Sequence, residues 1–196
     1  MASCNPQKVV GNWHSGIALD VHTTSSVHVG VDELGHDRFE TTYSELGGLL
    51  HRLKYKSDRS AAPEIVETAV EFLRPRRSKF DLIVPVPPSR IRSFQPVIVL
   101  ARGIGAALGI LVALNCIRTT RPPAQLKDVS DAEERRALVS GLYSADPAIA
   151  AQKNILLFDD LFRSGVTMNA VTEVLMKEGK ASKIYALTIT KTRSNR

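Results

Sequence analysis

From residue 80 onward, short apolar runs alternate with amphipathic segments, and this alternation constrains the fold more than any other feature of the chain. The runs FDLIVPVP (80–87), ILVALNCIR (110–118), NILLFDD (154–160) and KIYALTIT (183–190) are predicted strands. Between them, QPVIVLARGIGAALG (95–109) and GVTMNAVTEVLMKEG (165–179) are predicted helices. Strands that alternate with helices form parallel sheets covered on both faces. We therefore predict a doubly wound, mainly parallel α/β domain.

The chain before this alternation begins with short extended segments, predicted near 16–22, 27–31 and 38–42, with a turn around Gly35. We interpret residues 1–45 as an N-terminal extension, or hood, of short strands that does not fold independently. The larger domain is predicted to comprise residues 46–196.

Two helices are predicted next. The first opens at Thr42, whose spacing from Glu45 is that of a capping box. The second begins at Pro63, a residue favoured in a first helical turn, and ends at Pro75.

Composition narrows the class of protein. An apolar fraction of 43% and a charged fraction of 23% over 196 residues are those of a globular domain. No apolar run approaches the roughly 20 residues that span a bilayer, and the first residues lack a signal-peptide pattern. The two cysteines, Cys4 and Cys116, lie far apart, so neither a disulfide framework nor a zinc module is indicated. We expect a cytoplasmic protein that does not contact membranes.

The net charge of +6 favours an anionic ligand or partner. An ordinary solvated basic surface would produce the same charge. A nucleic-acid partner is left open, although no aromatic–basic platform or helix-turn-helix signal supports one.

The stretch ILLFDDLFRSGVT (155–167) places two adjacent carboxylates where a buried strand is predicted to end. In a regular strand Asp159 and Asp160 would face opposite ways. At the turn after the strand, both could reach a ligand at the carboxyl edge of the sheet, where such folds bind ligands. Vicinal carboxylates there suit two neighbouring sugar hydroxyls. The alternative is an acidic turn with Ser164 as the cap of the next helix.

The residues after the pair open that helix. Free backbone N–H groups and the positive end of the helix dipole make a helix start an anion site, and a glycine allows close approach of a phosphate. The predicted phosphate loop is Arg163, Ser164, Gly165, Val166 and Thr167.

Other phosphate-handling patterns are missing. The chain has neither the DxDx[TV] pattern of haloacid dehalogenases nor the GxxxxGK[ST] pattern of P-loop proteins. GIGAALG (103–109) is similar to a dinucleotide fingerprint, but it ends a predicted helix instead of following a strand, so helix packing and a C-terminal cap explain it better.

The acidic stretch resembles the signature of type I phosphoribosyltransferases, four hydrophobic residues followed by D-D-hydrophobic-x-T-[ST]-G-x-T, and it departs from that pattern only at Arg163. The resemblance extends over residues 46–192. The segments LKY (53–55), DLIVPVPPSRIRSFQP (81–96), RTTRPPAQ (118–125) and EERRALVSGLY (133–143) are similar to the ComF branch, without its N-terminal zinc module.

This resemblance implies binding of phosphoribosyl diphosphate (PRPP) and transfer of its phosphoribosyl group to a nucleobase or amine, with release of diphosphate. The catalytic pair Asp159 and Asp160 would hold the ribose hydroxyls, and residues 163–167 the 5′-phosphate. Mg²⁺ would be bound through PRPP near the acidic pair, without direct protein ligands. The implied diphosphate loop contains Pro87, Ser89, Arg90 and Arg92, and the implied flexible lid contains Arg118, Arg121 and Lys127.

The acceptor pocket has no comparable signature. Trp13, Phe39 and Tyr43 are weak candidates for stacking on a base, and the five histidines show no metal-ligand spacing. Two alternatives to the enzyme remain open: a PRPP- or nucleotide-binding regulator without catalysis, and a ComF-like accessory protein in DNA uptake. A homodimer is also left open.

Overall fold

The computed structural model describes residues 1–88, 94–121 and 137–193. Its strands are β1 (Gln7–Lys8), β2 (Ser15–Val21), β3 (Thr23–Val31), β4 (Asp37–Tyr43), β5 (Leu82–Pro85), β6 (Leu111–Val112), β7 (Ile117–Thr119), β8 (Tyr143–Ala145), β9 (Asn154–Phe162) and β10 (Lys183–Lys191). Its helices are α1 (Glu45–Tyr55), α2 (Ala62–Leu73), α3 (Pro96–Leu108), α4 (Pro147–Ala150) and α5 (Val166–Lys177), with 3₁₀ segments at Arg59–Ala61 and Arg74–Lys79.

A six-stranded sheet of order β1-β2-β10-β9-β5-β6 forms the centre of the molecule. All its neighbouring strands run parallel except β1, which is antiparallel to β2. Parallel strands are covered on both faces. One core packs α1, α2 and α3 against Leu156 and Phe158 of β9, and the other packs α5 against Ile155 and Leu157. The predicted doubly wound, mainly parallel sheet is confirmed.

Two short antiparallel pairs lie outside this sheet: β3 with β4, and β7 with β8. The β3–β4 hairpin turns around Gly35, as predicted, and most of its side chains are exposed. Strand β2 belongs to the central sheet, whereas β3 and β4 do not. The division of the chain at residue 45 stays a prediction.

Most predicted elements are confirmed to within a few residues. Helix α2 contains Pro63 in its first turn, and α3 ends at Gly109, whose φ of 62° is the left-handed geometry typical of a glycine cap. Among the described residues, no helix combines the length and apolar character that crossing a membrane requires.

Two local predictions were wrong. The cap of α1 is Ser44, whose hydroxyl accepts from the backbone N–H of Gly47, and not Thr42. Glu45 instead accepts from the Ser3 backbone N–H, which a local pattern cannot reveal. The predicted strand over 110–118 is broken, because β6 ends after Val112 and a turn then directs Ile117 to pair with β8.

Candidate active site

Strand β9 carries the acidic pair and continues beyond it. Its pairing with β10 runs from Asn154 to Phe162, so the prediction that the strand ends at the carboxylates was wrong. Because successive side chains of a strand point to opposite faces, Asp159 and Asp160 enter different surroundings. The long partner strand β10 causes this extension.

Asp160 lies on the face covered by α1. Its Oδ1 accepts a hydrogen bond from the Lys54 ammonium at 2.8 Å, and the two side chains are only 12% and 15% exposed. An ion pair so shielded from water is screened weakly. Lys54, near the end of α1, therefore compensates the charge of Asp160.

Asp159 lies on the other face, where its surroundings oppose ionisation. Burial first, and then the neighbouring charge of Asp160, raise the pKa of Asp159 to about 7. Its Oδ1 accepts from the backbone N–H of Asp160 at 2.8 Å, a contact that partly opposes this rise. Burial and the Asp159 charge in turn raise the pKa of Tyr143 to about 12.

Thr188 is aligned with Asp159 on the adjacent strand β10. Its side-chain hydroxyl is fully buried and has no hydrogen-bond partner among the described residues. On this face of the sheet, the Asp159 carboxyl, which resists ionisation, thus lies beside the Thr188 hydroxyl, which has no hydrogen-bond partner among the described residues.

The predicted phosphate loop adopts the geometry of a helix start. Gly165 precedes α5 with a φ of 73°, and a Cβ there would lie 2.9 Å from the Phe162 ring. No side chain caps the helix, so Ser164 is not its cap. The first backbone N–H groups of a helix lack partners within it, so this start suits an anion. Arg163 and Ser164 are exposed.

The predicted diphosphate loop follows β5, which neighbours β9 in the sheet. The backbone N–H of Val86 donates to the Phe158 carbonyl at 2.8 Å, which sets the partly buried Pro87 beside the acidic strand. Ser89, Arg90 and Arg92 lie outside the described residues.

Two of the three predicted lid residues can be placed. The exposed Arg118 guanidinium lies 3.7 Å from the Asp146 carboxylate. Arg121 donates to the backbone carbonyls of Leu138 and Ser140 at 3.1 and 3.3 Å. Lys127 lies outside the described residues. The roles assigned to these residues stay predictions.

The three candidate base-stacking residues have different surroundings. Trp13 is buried, donates to the Val9 carbonyl, and meets the Phe162 ring edge-on. Phe39 is 56% exposed on the β3–β4 hairpin. Tyr43, at the end of β4, lies beside α1, where its ring packs against His51.

Sequence reasoning missed Lys54, which pairs with Asp160, and His22 with its neighbour His51, which interact electrostatically with Lys54 or with each other. Burial, followed by the charges of Lys54, His51 and Arg163, lowers the pKa of His22 to about 4. Its Nδ1 lies 3.1 Å from the Thr190 hydroxyl. The LKY segment was the available signal for Lys54. No local pattern indicates His22.

No protein-family model and no curated protein sequence matches the chain. Its fold is similar to solved adenine phosphoribosyltransferases. That from Saccharomyces cerevisiae, solved with an iminoaltritol bisphosphate and adenine, is 12% identical, covers 85% of this chain and 83% of its own, and has a TM-score of 0.47. That from Trypanosoma brucei, solved with AMP, pyrophosphate and ribose-5-phosphate, is also 12% identical, covers 96% and 75%, and has a TM-score of 0.49.

The glutamine PRPP amidotransferase from B. subtilis, solved with ADP and GMP, is a further similar structure. It is 21% identical over 56% of this chain, with a TM-score of 0.40. The matched region spans only 22% of the amidotransferase chain.

Proposed function

We propose that the chain binds PRPP through residues 159–167 and transfers the phosphoribosyl group to a nucleobase or amine, releasing diphosphate. One observation carries this proposal. Two carboxylates near the end of β9 are followed, after a short loop, by a left-handed glycine at the start of the 12-residue helix α5. Carboxylates suit hydroxyl donors, and a helix start suits a phosphate, so the arrangement fits a pentose phosphate.

In this proposal the protein acts mainly by positioning its substrates. Asp159 and Asp160 accept hydrogen bonds from the ribose hydroxyls. The backbone at residues 165–167 holds the 5′-phosphate. Cationic side chains of the predicted diphosphate loop and lid stabilise the charge that develops on the leaving diphosphate.

The donor set is compatible with Mg²⁺, which prefers oxygen ligands and retains several waters. Among the described residues, no group of three or more His, Cys, Asp or Glu side chains could hold a metal ion. We propose an ion carried mainly by PRPP, with Asp159 and Asp160 near its waters. Such an ion would neutralise charge on the diphosphate.

The Lys54–Asp160 ion pair favours a second candidate function, a PRPP- or nucleotide-binding regulator without catalysis. The ammonium occupies one hydrogen-bonding position on Oδ1 of Asp160. Persistence of this contact in the bound state would leave fewer acceptor positions of Asp160 for ribose hydroxyls.

The test combines two measurements on one sample. The protein is incubated with PRPP, Mg²⁺ and a panel of nucleobases and amines, while diphosphate release and the melting temperature are followed. We expect release and a raised melting temperature in the wild type, and loss of both in Asp159→Asn/Asp160→Asn. Glu173→Gln, which removes a carboxylate from an exposed ion pair on α5, is the matched control and should behave as the wild type does. Stabilisation without release would identify the regulator, and no response to PRPP would refute both candidates.

A further inference from the structure

Three aromatic rings form a stack along α1. The ring centroids of Tyr43 and His51 are 4.7 Å apart with a 35° tilt, and those of His51 and Tyr55 are 5.1 Å apart with a 39° tilt. His51 and Tyr55 lie four positions apart on the helix, the spacing that places two side chains on one face. Tyr43 joins them from the end of β4. The rings are closer to parallel than to edge-on, the arrangement that further stacking extends.

The stack ends at Tyr55, whose side chain is 54% exposed. Among the residues that the structure describes, its ring contacts only that of His51. An exposed ring at the end of a stack offers a planar ligand an apolar face that is oriented to continue the stack.

Two residues, Lys54 and His22, link this stack to the acidic pair. Lys54, which binds Asp160, is adjacent to Tyr55 in α1 and three positions after His51. At the other end, the His22 ring meets Tyr43 edge-on, with 5.5 Å between centroids. His22 contacts Thr190 of β10, and its pKa is lowered in part by the charges of Lys54 and Arg163. The stack thus lies beside the proposed pentose-phosphate site.

We propose that Tyr43, His51 and Tyr55 form a platform on which the acceptor stacks, and that the acceptor is a planar aromatic base instead of an aliphatic amine. This inference rests on the proposed function, because it places the platform beside the ribose of a bound pentose phosphate. Stacking of a base on an aromatic side chain contributes enough to change affinity about tenfold.

The β3–β4 hairpin supplies a matched control. Phe39 and His28 form another exposed histidine–aromatic pair, which meets edge-on with 5.3 Å between centroids. Phe39 precedes Tyr43 by four positions in β4, which separates them by about 13 Å along the strand. The platform excludes Phe39, although the sequence made it a candidate for base stacking, so Phe39→Leu removes an exposed ring of similar size without altering the platform.

Direct binding tests the platform without requiring turnover. Ribose 5-phosphate, AMP, GMP and UMP are titrated calorimetrically into the wild type, Tyr55→Leu and Phe39→Leu, and the melting temperature of each variant verifies its folding. We expect at least one nucleotide to bind the wild type about tenfold more tightly than ribose 5-phosphate. Tyr55→Leu should lose most of this advantage while keeping its affinity for ribose 5-phosphate. Phe39→Leu should keep both.

The outcomes separate the two proposals. If ribose 5-phosphate binds but no nucleotide binds more tightly, or if Tyr55→Leu keeps the full advantage, the platform is wrong and the pentose-phosphate site stands. An equal loss in Phe39→Leu would also overturn the platform, because the effect would not be local. If none of the four compounds binds, the platform is wrong, and the response to PRPP then decides the pentose-phosphate site separately.

Discussion

Asp159 and Asp160 are neighbours in β9, yet their side chains lie on opposite faces of the sheet and have different electrostatic surroundings. On the α1 face, the Lys54 ammonium lies 2.8 Å from Asp160 and compensates its charge. On the α5 face, Asp159 accepts a hydrogen bond from the backbone N–H of Asp160, and its pKa rises to about 7. The difference comes from what packs on each face, since the two side chains are chemically identical.

This contrast divides the proposed ribose contacts between two kinds of carboxyl group. Asp160 forms an ion pair with the Lys54 ammonium, whereas Asp159, with its pKa raised to about 7, is close to protonation at neutral pH. A ligand that brings hydroxyl donors or a cation would favour the ionised form of Asp159. We therefore expect the protonation of Asp159 to respond both to ligand and to pH.

The largest expected effect follows from removing the cation of the α1 face. Lys54→Met would leave Asp160 largely buried without its ion-pair partner, so we expect a loss of about 3 kcal/mol in the free energy of unfolding. Urea denaturation measures this loss. Lys54→Met/Asp160→Asn should recover much of it, because the uncompensated charge is then absent.

Lys177→Met is the matched control for this prediction. Lys177 forms an ion pair of 2.5 Å with Glu173 on the exposed surface of α5. Exposed pairs of this kind contribute only about 0.3–0.5 kcal/mol. Equal losses in Lys54→Met and Lys177→Met would show that the Lys54–Asp160 ion pair contributes no more to stability than an exposed one.

A smaller effect is expected on the α5 face at Gly165. Gly165→Ala would force a positive φ on alanine and bring its Cβ to 2.9 Å from the Phe162 ring, so we expect a loss of about 2 kcal/mol. Gly141→Ala is the control, because Gly141 has a φ of 65° but no atom within 4 Å of the added Cβ. Its loss should be about 1 kcal/mol. Equal losses, measured by thermal unfolding, would mean that the Phe162 contact contributes nothing.

The smallest expected effect, taken per pH unit, is a change in the pH dependence of stability. The folded-state pKa of Asp159, about 7, is above its ordinary value of 3.8, so the folded protein keeps a proton that the unfolded chain loses between these values. This carboxyl therefore contributes stability at low pH that is lost as the pH rises through about 7. Asp159→Asn should remove that downward slope, by at most about 1.4 kcal/mol per pH unit. Unfolding in urea between pH 4 and 8 measures it.

His22 opposes this slope, so the comparison must be made between variant and wild type. Its folded-state pKa, lowered to about 4, makes the folded protein bind fewer protons than the unfolded chain up to about pH 6.5. Stability from His22 therefore increases as the pH rises over that range. Identical pH slopes in Asp159→Asn and the wild type would refute the raised pKa of Asp159.

Much of the fold follows from local patterns. The alternation after residue 80 predicts the parallel sheet, and Pro63 and Gly109 mark helix ends correctly, because these residues act through local backbone geometry. The failures lie where a distant segment intervenes. Strand β9 passes its predicted end because β10 pairs with it as far as Phe162, and Ser44 replaces Thr42 as the cap of α1.

For the same reason, the sequence predicted one part of the site and missed another. Residues 159–167 stand out because a strand end and a helix start lie next to each other in the sequence. His22, His51 and Lys54 are far from that stretch and come near it only through the packing of α1 and β2 on the sheet. Their effect on the site depends on contacts between distant parts of the chain, and no local spacing in the sequence indicates such contacts.

The sequence by itself determined that two carboxylates and a glycine-started helix follow a buried strand, because strand and helix periodicity and the freedom of glycine are local properties. Only the tertiary structure decided that Asp160 is paired with Lys54 while Asp159 resists ionisation. It also decided that Tyr43, His51 and Tyr55 stack beside them. Electrostatic surroundings depend on which distant side chains and how much water surround a group, and these are fixed only when the helices pack against the sheet.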